Sequence, residues 1–128
     1  MSGRILLDTH LLLWALATPA RLPAATRREI DRNQVFVSAA SIWEIAIKSS
    51  TGKLKADATE VLDELPTAGF DLLPVTGVHA ARTAGLGGLH KDPFDRMLIA
   101  QALSEGLPLL TNDETLAGYG AIVRLMPG

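Results

Sequence analysis

Apolar and polar residues fall along this chain in blocks whose period switches between that of a buried strand and that of a helix. Arg4-Ile5-Leu6-Leu7 is a short continuous apolar run, as in a strand covered on both faces, and Asp8-Thr9 then opens a helical stretch that ends near Pro19. Residues 24–32 read as a second helix, 35–37 as a second strand, and 42–50 as a helix closed by Gly52 just past its end. Further on, 57–65 predicts a helix, 70–75 a strand, 78–84 a helix, 93–105 a strong amphipathic helix, 107–111 a strand and 122–125 a last strand. Strands alternating with helices predict an α/β fold, with a mostly parallel central sheet of about five strands and helices on both faces, in one domain over residues 1–128. The only flexible-looking stretch is 85–91. In such sheets function gathers at the carboxyl ends of the strands, where short loops turn into helices.

Composition narrows the chemistry. With 48% hydrophobic and 20% charged residues the chain has a globular balance, and its length suits one packed core. It has no cysteine, and His10, His79 and His90 lack zinc-ligand spacing, so any bound metal must be held mainly by oxygen. A formal charge of -2 excludes a global positive field, leaving phosphate attraction to local groups. The run 11–16 loosely imitates a secretory signal, but Asp8 and His10 interrupt it and no run approaches transmembrane length, so a cytoplasmic protein away from membranes is expected.

Four acids fall near the predicted functional edge. Asp8 directly follows the first strand, where capping the next helix would explain it as well. Glu44 lies within Ile42-Trp43-Glu44-Ile45-Ala46-Ile47, a helix apolar almost all the way round and expected to be buried. A capping box with Ser41, or an ion pair with Lys48 four residues on, are its local alternatives, although such a pair contributes only about 0.2–0.5 kcal/mol. Asp95 sits in the first turn of a helix that Asp92 can cap and Pro93 can start, and Asp113 follows the strand 107–110. Each acid has a bland reading, yet four separate elements each carry one at or near the same edge. Clustered carboxylates repel one another unless a cation neutralises them, and oxygen-only ligation points to magnesium or manganese. Such ions activate water and stabilise charge on phosphoryl oxygen, which makes phosphodiester hydrolysis the expected reaction class.

Several strings together resemble the PIN-domain proteins of the VapC type. They are Leu6-Leu7-Asp8-Thr9-His10, Ser41-Ile42-Trp43-Glu44-Ile45-Ala46-Ile47-Lys48, Lys91-Asp92-Pro93-Phe94-Asp95-Arg96 with its continuation to Ala102, and Thr111-Asn112-Asp113. They occur in the right order over nearly the whole chain, and Asp-Pro-Phe-Asp-Arg is the most distinctive of them. The resemblance implies a compact parallel α/β fold, a homodimer, and a Mg2+ site (Mn2+ also fitting) made by Asp8, Glu44, Asp95 and Asp113. It also implies cleavage of single-stranded RNA and inhibition by a small cognate antitoxin. Around those acids, Arg96 and Lys48 are candidates for contacting the RNA substrate, with Lys91 nearby. Thr9, Thr111 and Asn112 are candidates to fix carboxylates or bind phosphate. Trp14 and Trp43 fit core or dimer packing better than base stacking.

Three rivals carry different functions, and the acid chemistry alone does not separate the first, a magnesium-dependent phosphatase, from a nuclease. A phosphoacceptor receiver domain needs an acid after the middle strand, where this chain has Leu73-Pro74-Val75-Thr76. A catalytically inactive PIN-like module that only binds RNA or protein would have no need to keep all four acids.

Overall fold

A computed structural model describes residues 3–88 and 90–127. Five parallel strands, β1 (Arg4–Leu7), β2 (Gln34–Ser38), β3 (Phe70–Leu73), β4 (Leu109–Thr111) and β5 (Val123–Leu125), form one sheet in the order β3-β2-β1-β4-β5. The helices are α1 (Thr9–Ala17), α2 (Ala24–Arg32), α3 (Ala39–Ser50), α4 (Ala58–Ala68), α5 (Gly77–Arg82) and α6 (Pro93–Glu105), with 3-10 turns at Pro19–Arg21, Thr83–Gly85 and Glu114–Tyr119.

The strand pleat sends alternate residues to opposite faces, so a strand buried on both sides must be apolar at every position. In β1, Ile5 and Leu7 join Leu11 and Leu12 of α1, Ile45 of α3, and Val61 and Leu65 of α4 in one core. Leu6 points the other way, into a second core with Leu98, Ile99 and Ala102 of α6 and Leu116. The predicted two-faced α/β sandwich is therefore the observed one.

Apart from element ends that shift by a few residues, three differences from the sequence reading bear on the site. β3 ends at Leu73, before Pro74, which has no N–H to extend the ladder. α3 starts at Ala39, and its cap is Ser38, whose hydroxyl accepts from the Ala40 amide at 2.9 Å. A capping box of Ser41 with Glu44 is thereby ruled out; Ser41 lies inside the helix and its hydroxyl accepts from that of Thr9 at 2.8 Å. Nor is α3 buried all round, because Trp43 is 61% exposed and Ile47 also faces outward.

The strand order fixes where a site can form. From β1 the chain adds β2 and β3 to one side and β4 and β5 to the other, so the carboxyl ends of β1 and β4 flank the crevice where the winding direction reverses. Leu7 pairs with Leu110 across it, which brings Asp8 and the Thr111-Asn112-Asp113 turn side by side.

Candidate metal centre

Asp8 is held where β1 ends. Its backbone opens α1, but its side chain makes no capping hydrogen bond to the helix, so the bland explanation of this residue fails. Instead Oδ2 accepts from the Thr111 hydroxyl at 2.6 Å, and that hydroxyl in turn accepts from the Asp113 amide at 3.0 Å. Thr111 is fully buried, with its hydroxyl turned to Asp8. Asp8 is itself nearly buried, and the loss of water pushes its carboxyl above the usual range, with Glu44 adding to the rise and the Thr111 bond opposing it.

Glu44 comes from α3 and is 5% exposed. Its Oε2 accepts from the Lys48 ammonium one helical turn on, an ion pair the sequence offered as a local alternative. Lys48 is held in its charged form mainly by that hydrogen bond, helped by the fields of Asp92 and Asp95.

Asp95 comes from the first turn of α6. Asp92 caps that helix, accepting from the amides of Phe94 at 2.8 Å and Asp95 at 3.0 Å, as expected of its place before Pro93. Burial first and the Asp92 charge second push the Asp95 carboxyl up to about 6, against the pull of a 2.7 Å hydrogen bond between its Oδ2 and His90 Nε2. Asp113 caps the 3-10 turn that follows β4, accepting from the Thr115 amide and hydroxyl through Oδ1.

All four acids line one cleft of about 310 Å3 together with His10, Lys48, His90 and Asp92. Five carboxylates thus face one lysine and two histidines, an imbalance that a divalent cation would correct. Among the described residues no three acids or histidines lie close enough, as they are turned, to grip one ion together. Glu44 is engaged by Lys48 and Asp95 by His90, each through a single carboxylate oxygen. The donor chemistry fits Mg2+ or Mn2+, with coordination completed by the free oxygens and by water.

The substrate candidates separate. Lys48 lines the cleft, whereas Thr111, Asn112 and Arg96 do not. The Arg96 guanidinium is spent on backbone carbonyls instead. His90 entered the sequence reading only as lacking zinc-ligand spacing; its place five residues before Asp95, beside a helix start, was the available signal.

The chain belongs to the PIN domain family, whose model matches residues 5–121. It is similar to Ribonuclease VapC22 of Mycobacterium tuberculosis, with 29% identity over 90% of this chain and 91% of that protein. Its fold resembles that of VapBC2 from Rickettsia felis bound to a promoter DNA fragment (TM-score 0.69, 16% identity, 97% of this chain and 98% of that one). It likewise resembles that of DNA-bound VapBC from Salmonella typhimurium (TM-score 0.67, 18% identity, 99% and 98%).

Proposed function

We propose that this chain, read as one nuclease domain over residues 1–128, is a magnesium-dependent endoribonuclease. It cleaves single-stranded or loop RNA as the VapC-like toxin of a cytoplasmic toxin–antitoxin pair. The observation that carries this reading is the convergence of Asp8, Glu44, Asp95 and Asp113, from four separate segments, on one cleft at the switch point of the sheet. Asp8, Asp95 and Asp113 would hold the cation, which when bound supplies an activated water and a counter-charge for the phosphoryl oxygens. Glu44, deep in the cleft wall, orients the attacking water, and Lys48 beside it offers a positive charge to the RNA backbone. Thr111 keeps Asp8 aimed into the cleft.

Similarity to a ribonuclease named VapC22, and in fold to structures of VapBC, supports both the RNA substrate and the antitoxin partner. No helix among the described residues is long and apolar enough to cross a membrane. A homodimer belongs to it as well, with the exposed Trp43 as the first surface on which to look for the contact.

The test is cleavage of a pool of structured and single-stranded RNAs by purified protein in magnesium or EDTA, alongside Asp8→Asn and Glu44→Gln. Metal-dependent cutting lost in both variants is expected. Cutting that survives in both places the activity elsewhere, and a metal-binding protein inert towards every RNA favours the inactive binding module.

A further inference from the structure

Arg96 follows Asp95 on α6, and its side chain turns away from the cleft to grip the segment that leads into the helix. One guanidinium nitrogen donates to the carbonyls of Gly87 at 2.6 Å and His90 at 2.9 Å, and the other to Thr83 at 2.7 Å. The planar fork of arginine suits such a task, since it presents several donors at fixed angles and stays charged. The gripped segment is rich in glycine, with Gly85, Gly87 and Gly88, so its own backbone does little to hold a shape. It carries His90, whose ring bonds Asp95. The contacts therefore close on themselves: Arg96 holds the backbone of His90, and the side chain of His90 holds the neighbour of Arg96.

We infer that Arg96 is a positioning residue of the metal centre, acting through His90 on Asp95, and that it is not a contact for RNA. His90 occupies Oδ2 of Asp95 and leaves Oδ1 for a cation, so it sets the direction in which the carboxylate offers its free oxygen. Groups that orient ligating carboxylates in this way typically contribute 10–100-fold to metal affinity. The inference rests on the proposed metal-dependent reading and adds to it a second layer reaching back to Thr83.

The experiment is calorimetric titration of Mn2+ into the full chain without RNA, for the unsubstituted protein, Arg96→Gln, Arg96→Lys, His90→Ala and the Arg96→Gln/His90→Ala pair. Cleavage by the same proteins is then followed as a function of salt. Arg96→Gln and His90→Ala should each weaken Mn2+ binding about 10-fold or more, and the pair should do little worse than either alone. Arg96→Lys, which lacks the fork, should recover only part of the loss, and it serves if Arg96→Gln fails to fold. The salt dependence of cleavage at sub-saturating RNA should keep its slope. Unchanged metal affinity with a slope shallower by about one identifies Arg96 as a phosphate contact and overturns the inference. Losses that multiply in the pair overturn the coupling between Arg96 and His90. A protein that binds Mn2+ normally in every form but cleaves no RNA sinks the nuclease reading and the clamp separately, and one that binds no Mn2+ at all removes the ligand role of Asp95 and both with it.

Discussion

Helices α3 and α6 each carry an aromatic residue next to an acid, Trp43 beside Glu44 and Phe94 beside Asp95, and the two halves of each pair meet different fates. Successive residues on a helix point about 100° apart, so an element can serve two unlike surfaces at adjacent positions. On one side Glu44 and Asp95 sink into the cleft and find Lys48 and His90. On the other Trp43 and Phe94 meet edge to face, with ring centroids 5.1 Å apart, and line a wide apolar groove with Val75 and Met97. Buried charge has to be matched within the chain because leaving it unmatched is expensive, whereas an exposed aromatic face can wait for a partner. The cleft thus gathers charge that an ion would match, and the groove apolar surface that a partner would cover.

The largest expected effect breaks the acid side alone. Asp8→Asn keeps the shape and the Thr111 contact but removes the charge, and cleavage should fall by about 10²–10³-fold, the usual scale for one preorganised electrostatic group. Rates measured at saturating magnesium decide it, and a variant within a few-fold of the parent would remove Asp8 from the chemistry.

The second effect has the opposite sign for stability. The folded Asp95 keeps its proton up to about pH 6, while the unfolded chain loses it near its ordinary value of 3.8. Between those limits the folded state binds more protons, so metal-free stability falls as pH rises through the window, and above it the whole penalty, about 3 kcal/mol at most, remains. Asp95→Asn should therefore be more stable than the parent in EDTA at pH 7.5, with the advantage shrinking towards pH 4. Denaturant melts at both pH values test this, and a variant no more stable at pH 7.5 would mean that the cleft holds its charges without strain.

Magnesium should act on the parent in the same direction as that substitution. At 100 times its dissociation constant it adds about 2.7 kcal/mol to folding, a rise in melting temperature on the order of 10 °C for a domain of this size. Asp95→Asn should show a smaller rise. Equal rises in both proteins would place the ion away from α6.

The contrast between cleft and groove also explains what could be read from the sequence. The strands and helices follow from periods that depend only on neighbouring residues, and the acids from their places: Asp8, Asp95 and Asp113 at strand and helix ends, Glu44 inside an otherwise apolar helix. The start of α3 was misplaced because Ser38 and Ser41 are both good caps, and the choice between them depends on where β2 stops pairing with β3. The exposure of Trp43 was missed because an apolar helix carries no mark saying which side meets solvent. The contacts of Arg96 and His90 escaped for a related reason: their partners are backbone carbonyls and one carboxylate oxygen, and it is the fold of the connecting segment that determines which of those a side chain can reach.

The smallest effect on the monomer should come from the groove. Trp43→Ala removes a side chain that is 61% exposed, together with one edge-to-face contact of about 0.5–1.5 kcal/mol, so the fold should lose no more than about that much stability. Self-association is where it should register. If the expected homodimer uses this face, sedimentation equilibrium across a concentration series should show the variant dissociating at much higher concentration than the parent, while metal binding in the cleft that the adjacent Glu44 lines stays as it was. An unchanged dimer would move the interface elsewhere. A lost metal response would mean that the aromatic and acidic sides of α3 are mechanically one unit, so that the groove would count as part of the cleft's support.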